Sequence, residues 1–395
     1  MEVTALSHDG VSINLIDSDK KLQQAVEKLS TSQELALDLE FDQNRYSYGF
    51  NLCLIQVTAG NGVCYVIDPF TIEDLQPIFS LIEDPAITKI IHHSNNDILL
   101  LNKLGCNIKG VLDTDVAAKL LNYEKSSLAT VLKEEFDIEI DKSQQSSNWN
   151  KRPLTDEQLV YAAIDVIYLQ KVKNKLLDEL EEKGRLHWLE EENQLLENLK
   201  FAEPDNPHLK LKNAFRLTLY QQYILKELHE FRENLAKEVD KPAHFVIPND
   251  ALIDLACNID VDIHEWLNHT KGIHGRMKKP AYEKKLKNAI KEAISHAEEE
   301  GISHDFPVNM YKRPFKTAET EMRKDELSKI QSKIAEKYGL YTSRLIINQN
   351  LITEYSYTGK LKCTKQYATA VVLETAAELG IELPEPFLIT PSTKK

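Results

Sequence analysis

Apolar and polar residues follow two different periods along the first 200 residues. Stretches rich in β-branched and apolar residues predict four strands, at 35–41, 52–58, 63–69 and 87–93. Apolar residues at helical spacing predict four helices, at 74–81, 96–104, 115–121 and 128–136. Three strands in succession, then helices alternating with further strands, favour an α/β domain with a mixed sheet.

Strand patterns largely disappear after residue 200. The stretch 201–210 contains two prolines and two acids, which is typical of a linker, and helical patterns follow over 217–297 and 320–390. A second break, SHDFPVNMYKRPFK, lies at 303–316. We therefore predict three domains, one α/β and two helical, at 1–200, 211–300 and 317–395.

The helix predicted after Leu154 places polar residues among apolar ones. Thr155 and Gln158 have the spacing of a capping box. Tyr161 and Asp165 are one turn apart and share a face. Taken alone, the pair fits a half-buried tyrosine beside a solvated aspartate. A separate buried stripe at helical spacing is formed by Leu159, Ala162, Val166 and Leu169.

Two acids stand two positions apart in the first predicted strand. Asp38 and Glu40 would point to the same face, and like charges resist burial unless a cation lies between them. Such spacing is common by chance, but on an apolar strand it favours a hard cation such as Mg²⁺. Asp97 lies at the start of a later apolar helix, where acidic residues are common because they interact favourably with the helix dipole. His92 and His93 precede it, but no further His or Cys follows at zinc-ligand spacing, which argues against a zinc site.

Charge and cysteine content narrow the class of protein. The net charge is −14, and the first 200 residues carry −15, which argues against simple electrostatic nucleic-acid binding there. The five cysteines are scattered without a CxxC pair, which predicts a reducing cytosol. No apolar run reaches the roughly 20 residues of a membrane span, and the N-terminus lacks the pattern of a secretory signal.

Three stretches together resemble one family. LDLEF (37–41), HHSNND (92–97) and NWNKRPLTDEQLVYAAIDVIYL (148–169) are similar to the three exonuclease motifs of the ribonuclease D family, in the tyrosine variant of the DEDD exonucleases. The segment LDT (112–114) also fits the family, and the resemblance covers roughly 15–185. It implies a ribonuclease H-like fold for the α/β domain.

The resemblance also implies a site and a reaction. Asp38, Glu40, Asp97 and Asp165 would bind two divalent cations, Mg²⁺ or Mn²⁺, and Tyr161 would orient the attacking water. The expected activity is 3′→5′ hydrolysis of RNA that releases nucleoside 5′-monophosphates. The expected substrate is structured RNA, such as tRNA precursors with a single-stranded 3′ end, cleaved by a cytoplasmic monomer.

Some alternatives stay open on the sequence. One position of the family motif often holds Thr where this chain has Leu39, whose side chain should point away from the metals. A 3′→5′ DNA exonuclease uses the same acids. No pattern in the sequence indicates recognition of the 2′-hydroxyl that distinguishes RNA from DNA, so this alternative stays open. The other alternative is a catalytically inactive RNA-binding scaffold. The presence of all four acids and the tyrosine argues against it.

The helical parts resemble nucleic-acid-binding modules. Residues 219–258 are similar to an HRDC domain, and 334–355 to a second, more divergent one. The glycines of GCNIKGV (105–111) are not followed by Lys-Ser/Thr, so no P-loop is formed there, and the HRDC-like part is expected to serve the nuclease.

A basic segment within the first helical part is either a solvated helix face or a phosphate-binding surface. YKRPFK (311–316) adds three cations among aromatic residues and would extend such a surface. The candidate contacts of this basic segment (271–291) are Lys271, Arg276, Lys278, Lys279, Lys284, Lys285, Lys287 and Lys291.

Overall fold

The computed structural model describes residues 6–307 and 316–388. These residues form two compact units. Unit 1 holds 6–41, 52–201 and 316–388, and unit 2 holds 42–51 and 202–307.

A mixed sheet forms the centre of unit 1, in the strand order β1-β2-β5-β4-β3-β6-β7. Its strands are β1 (Ser7–His8), β2 (Val11–Ile16), β3 (Glu34–Gln43), β4 (Phe50–Thr58), β5 (Val63–Ile67), β6 (Thr88–Ile91) and β7 (Val111–Asp113).

Parallel and antiparallel pairs coexist in this sheet. The parallel pairs are β2 with β5, β3 with β6, and β6 with β7, and the antiparallel pairs include β1 with β2 and β4 with β5. The register sets Ala36 opposite Ile90, and Ile90 opposite Leu112. The strand β3 therefore lies inside the sheet, where its apolar side chains Leu35 and Leu37 are each only 1% exposed.

Eight helices accompany the sheet in the described residues 6–200: α1 (Asp19–Leu29), α2 (Gln76–Glu83), α3 (Asn95–Lys103), α4 (Thr114–Leu120), α5 (Leu128–Phe136), α6 (Asp156–Ile167), α7 (Leu169–Glu182) and α8 (Leu186–Glu197).

Unit 2 is helical around a core of its own. That core includes Ile224, Leu228, Leu252 and Leu286, each fully buried. Short 3₁₀ turns lie at Pro207–Lys210, Ala214–Arg216 and Gly275–Lys278. The helices are α9 (Leu219–Val239), α10 (Ala243–Val246), α11 (Asn249–Cys257), α12 (Ile263–His269) and α13 (Pro280–Glu299).

The remaining helices belong to unit 1. They are α14 (Ala318–Tyr338), α15 (Leu340–Ile346), α16 (Gln349–Thr358) and α17 (Gln366–Glu378), joined by a short parallel pair, β8 (Lys362–Cys363) with β9 (Phe387–Leu388).

This last group of helices shares a core with the sheet domain. Tyr367 of α17 stacks on Trp188 of α8, with ring centroids 4.8 Å apart. The hydroxyl of Thr342 donates to the backbone carbonyl of Lys119, 3.0 Å away, at the C-terminus of α4. The group α14–α17 therefore packs as part of the same compact unit as the sheet.

The predicted fold class is confirmed: a mixed sheet with helices forms the exonuclease-like part, and helical regions follow. The division into domains at 1–200, 211–300 and 317–395 stays a prediction, and the compact units group the chain differently. Of the basic stretch 311–316, residues 311–315 lie outside the described part of the chain. None of the helices in the described residues is both long and apolar enough to cross a membrane.

Candidate metal centre

The first two acids of the candidate site lie on β3. Side chains alternate between the two faces of a strand, so Asp38 and Glu40 share one face. Leu39, between them, points to the other face and is 4% exposed. The leucine is therefore directed away from the two carboxylates, as the sequence predicted.

The third acid, Asp97, lies in the first turn of α3, directly after β6. It is only 6% exposed, which is unusual for an aspartate. Because β6 pairs with β3 in parallel, α3 begins at the edge of the sheet where the β3 acids also lie.

The helix α6 supplies Tyr161 and Asp165. Its capping box is present: the Gln158 backbone N–H donates to Thr155 Oγ1 at 3.2 Å, and the Thr155 N–H donates to Gln158 Oε1 at 3.0 Å. The predicted stripe packs inward, with exposures of at most 8%, at Leu159, Ala162 and Val166 of α6 and at Leu169, which lies in α7 after a break at Tyr168. One side of α6 is thus fixed to the core, and Tyr161 and Asp165 lie on another side.

An arginine holds the loop that leads into α6. Arg152 Nε donates to Asp68 Oδ2 at 2.5 Å, and Arg152 Nη2 donates to Asp68 Oδ1 at 2.8 Å. Its Nη1 also donates to the Trp149 carbonyl at 2.7 Å. The Trp149 ring lies 6.1 Å from that of Tyr161. This bidentate pair therefore fixes the loop that supports the phenol.

Three of the predicted acids converge tightly. One carboxylate oxygen from each of Asp38, Glu40 and Asp165 lies within 4.8 Å of the others, a spacing that suits ligands of one metal ion. Asp97 lies outside that group, but its charge raises the pKa of both Asp38 and Glu40. All four acids are therefore electrostatic neighbours.

This concentration of negative charge is unfavourable without a cation. Burial, and then repulsion from Asp165 and Asp97, raises the pKa of Asp38 and of Glu40 well above the usual range. Burial raises the pKa of Asp97 to about 8, with the Asp113 charge adding to the effect. Burial also raises the pKa of Asp165 to about 7, although a hydrogen bond from Tyr161 opposes it. A bound divalent cation would reverse these shifts.

The tyrosine stays protonated at any physiological pH. Burial and the charges of Asp165, Glu40 and Asp38 raise the pKa of Tyr161 far above the usual value for a phenol. The phenol can therefore donate and accept hydrogen bonds but cannot act as a base near neutral pH.

A cavity of about 470 Å³ opens beside these acids. Its lining includes Asp38, Tyr161 and Asp165, together with Lys119 and Lys142. Sequence patterns did not mark the two lysines, because the residues that bring them to the cavity are distant in the chain.

The two histidines before α3 have protein partners. His92 Nδ1 lies 2.9 Å from Thr114 Oγ1, and His93 Nδ1 lies 3.1 Å from Asp115 Oδ2. Lys119 also donates to Asp115 at 2.5 Å. The segment LDT, noted in the sequence only as a family feature, is thus directly followed by Asp115, which lines the cavity.

The basic segment lies in unit 2, and all eight of its candidate side chains are exposed. Lys285 pairs with Glu238 at 3.3 Å, and Lys287 with Glu283 at 2.6 Å. Among the described residues, the remaining lysines have no ion pair; they are Lys271, Lys278, Lys279, Lys284 and Lys291. Their role in binding stays a prediction.

Comparison with known proteins places this chain in a family. Residues 13–181 match a family described as 3′-5′ exonuclease, and residues 221–265 match the HRDC domain. Ribonuclease D of Shewanella sp. is 34% identical over 276 residues, which cover 66% of this chain and 69% of that protein. Ribonuclease D of Desulfotalea psychrophila is 32% identical over 248 residues, which cover 62% of this chain and 66% of that protein.

A solved structure extends the likeness in fold. The crystal structure of RNase D from Escherichia coli, an exoribonuclease involved in structured RNA processing, superposes with a TM-score of 0.69. The match covers 93% of this chain and 99% of that one at 23% identity, so it speaks for the fold alone.

Proposed function

Because the chain belongs to the ribonuclease D family of 3′→5′ exoribonucleases, we propose that its acids hold two divalent cations for hydrolysis at RNA 3′ ends. The proposed ligands are Asp38, Glu40, Asp97 and Asp165, and the proposed cations are Mg²⁺ or Mn²⁺. The observation that carries this proposal is the convergence of Asp38, Glu40 and Asp165 within 4.8 Å beside a cavity of about 470 Å³.

The chemistry of the donors supports hard cations. All four proposed ligands are carboxylates, and Mg²⁺ and Mn²⁺ prefer carboxylate oxygens. Zinc sites more often use histidine or cysteine ligands. Four carboxylates with raised pKa values, of which Asp97 is buried and the other three are half-buried, need positive charge to remain ionised together.

The reaction divides between the cations and the side chains. When bound, two cations activate a water molecule and stabilise the charge that develops at the phosphodiester. Tyr161 is proposed to align that water through its phenol, which remains protonated and so positions the water without taking its proton.

The cavity is proposed to receive the terminal nucleotide. Its volume lies within the range of small-molecule sites. Lys119 and Lys142 in its wall bring positive charge to a domain that is otherwise acidic. The proposed product is a nucleoside 5′-monophosphate: water attacks the phosphorus, the bond from phosphorus to the 3′ oxygen breaks, and the phosphate stays on the 5′ oxygen of the released nucleotide while the shortened RNA keeps a 3′-hydroxyl.

We propose structured RNA, such as tRNA precursors with a single-stranded 3′ end, as the substrate. The exposed lysines of the basic segment would hold the body of such an RNA by its phosphates. We further propose that the protein acts as a monomer in the cytoplasm, where its five free cysteines stay reduced.

The test compares cleavage of single-stranded RNA, single-stranded DNA and a tRNA precursor with Mg²⁺ or Mn²⁺. The proposal expects stepwise shortening of RNA from the 3′ end, loss of activity with a chelator, and recovery when either cation returns. Preferential cleavage of DNA would favour the DNA exonuclease. Absence of cleavage of all three substrates would favour the inactive scaffold.

A further inference from the structure

Asp113, at the end of β7, collects an unusual number of hydrogen bonds. It is 1% exposed. Its Oδ1 accepts from the backbone N–H groups of His93 at 3.0 Å and Asp115 at 2.8 Å. Its Oδ2 accepts from the backbone N–H of Ser94 at 2.8 Å and from the Ser94 hydroxyl at 2.7 Å. The carboxylate thus joins two chain segments, the turn before α3 and the start of α4.

The start of α3 depends on this carboxylate. Ser94 occupies the N-cap position, where a serine oxygen usually accepts from a backbone N–H of the first turn. The Ser94 side chain makes no such bond within α3, because its hydroxyl donates to Asp113. The first turn of α3 is therefore anchored by a residue about twenty positions away and not by its own cap.

The turn before α3 contains a residue in an unfavourable backbone conformation. His93 adopts a left-handed conformation, with φ of 63°, which costs a residue other than glycine about 1 kcal/mol or more. The hydrogen bond from its N–H to Asp113 helps to hold that conformation.

Asp97 follows Ser94 by three residues, which is less than one turn of α3. A shift of Ser94 therefore moves Asp97 as well. Asp113 is itself held from another side, because its backbone N–H donates to Asn193 Oδ1 of α8 at 3.1 Å. A continuous set of hydrogen bonds thus connects α8, Asp113, Ser94 and the turn that carries Asp97.

We propose that Asp113 is a positioning residue of the metal site, which fixes the first turn of α3 and thereby the carboxylate of Asp97. This inference rests on the proposed role of Asp97 as a metal ligand. A side chain with two acceptor oxygens suits the position, because N–H and O–H donors converge on both of them.

The substitution Asp113→Asn tests the proposal with almost no change of shape. Its amide nitrogen would face N–H or O–H donors whichever way the side chain turns. We expect Mn²⁺ binding, measured by electron paramagnetic resonance without RNA, to weaken about 10- to 100-fold, and kcat to fall by a similar factor. KM for RNA should stay within about threefold, because the surface that holds the RNA is untouched.

Two further variants separate positioning from stability. Ser94→Ala removes one of the donors and should weaken Mn²⁺ binding less, about 2- to 10-fold. Asn348→Ala removes the N-cap of α16, where Asn348 Oδ1 accepts from the Leu351 N–H at 2.9 Å, and no residue of α16 lines the cavity. This control should lower the melting temperature but leave Mn²⁺ binding and kcat unchanged.

The outcomes distinguish this inference from the proposed function. A folded Asp113→Asn protein that binds Mn²⁺ and turns over within twofold of wild type would overturn the positioning role. If Asp113→Asn does not fold, unchanged Mn²⁺ affinity in Ser94→Ala overturns it instead. Asp97→Asn is measured in parallel: wild-type behaviour there would refute Asp97 as a ligand, and with it both proposals. An impaired Asp97→Asn beside an intact Asp113→Asn would refute the positioning role alone.

Discussion

Neutralising Asp165 should make the metal-free protein more stable while it removes activity. The substitution Asp165→Asn keeps the size of the side chain but deletes a half-buried charge. It also removes the charge that, after burial, contributes most to raising the pKa of both Asp38 and Glu40. The same carboxylate that would attract cations therefore opposes folding when none is bound.

The size of the expected gain in stability follows from the pKa of Asp165. Burial raises this pKa to about 7, compared with 3.8 for an ordinary aspartate. Above pH 7 that gap corresponds to a destabilisation of about 4 kcal/mol. The asparagine must also satisfy its own amide group, so we expect a gain of about 2–4 kcal/mol in the free energy of unfolding.

The gain should depend on pH in a defined direction. A carboxyl whose pKa is raised by folding costs nothing below pH 3.8, where both states are protonated. The cost grows as the pH rises and is complete above the folded pKa of about 7. The advantage of Asp165→Asn should therefore be about 2 kcal/mol smaller at pH 5.5 than at pH 8.

Urea unfolding in the presence of a chelator, followed by tryptophan fluorescence, measures this effect. Trp149 and Trp188 lie in unit 1, and a Trp266→Phe background removes the tryptophan of unit 2. Asp156→Asn is the matched control, since it makes the same chemical change at the exposed start of the same helix. The negative charge of Asp156 interacts favourably with the dipole of α6. Its removal should therefore lower the free energy of unfolding by about 0.3–1 kcal/mol.

Addition of Mn²⁺ completes the experiment. At 100 times its dissociation constant, the cation should stabilise the wild-type protein by about 2.7 kcal/mol and Asp165→Asn by less. The reasoning is refuted if Asp165→Asn is no more stable than wild type at pH 8 without metal. A gain that does not shrink at pH 5.5 would also count against it, because it would not come from ionisation.

Three further predictions concern turnover and binding. Asp38→Ala should abolish nearly all turnover but leave RNA affinity largely intact, and wild-type turnover would remove it from the metal site. Tyr161→Phe should slow single-turnover hydrolysis on the order of 10²-fold by losing one positioned hydrogen bond, and an unchanged rate would exclude the phenol from the mechanism. Replacing four lysines by glutamine should weaken binding of structured RNA and flatten its salt dependence by about one unit per lost phosphate contact, with little change in cleavage of a very short oligonucleotide. The lysines are Lys278, Lys279, Lys284 and Lys285, and the last should contribute least because it pairs with Glu238. Unaltered binding and cleavage of both RNAs would mean that this face is only solvated.

Much of the local structure was predictable because it depends on neighbours in the chain. The helix over 128–136 agrees with α5 at both ends, and Ser127 caps it with a side chain that accepts from the Thr130 N–H. The capping box of Thr155 and Gln158 and the buried stripe of α6 also follow from spacing alone. The short strand β7 gave no such signal, since three residues are too few to display a period.

The candidate site was recognisable for a related reason. Each acid stands at a position that strand or helix geometry makes meaningful, and the motifs around them matched one family. Their convergence could not be predicted from spacing, because Asp38 and Asp165 lie far apart in the chain and meet only when α6 packs against the sheet. The same holds for Asp113, whose partners His93 and Ser94 come from another strand-to-helix turn.

The sequence by itself determined many of the elements, the chemistry of the acids and the family, since these depend on residue type and on local periodicity. Only the tertiary structure decided that α14–α17 share a core with the sheet domain, because contacts such as Thr342 to Lys119 join residues more than two hundred positions apart. It also decided which carboxylates lie with their oxygens within 4.8 Å of one another. Burial and mutual repulsion there raise their pKa values, and neither effect exists until the chain has folded.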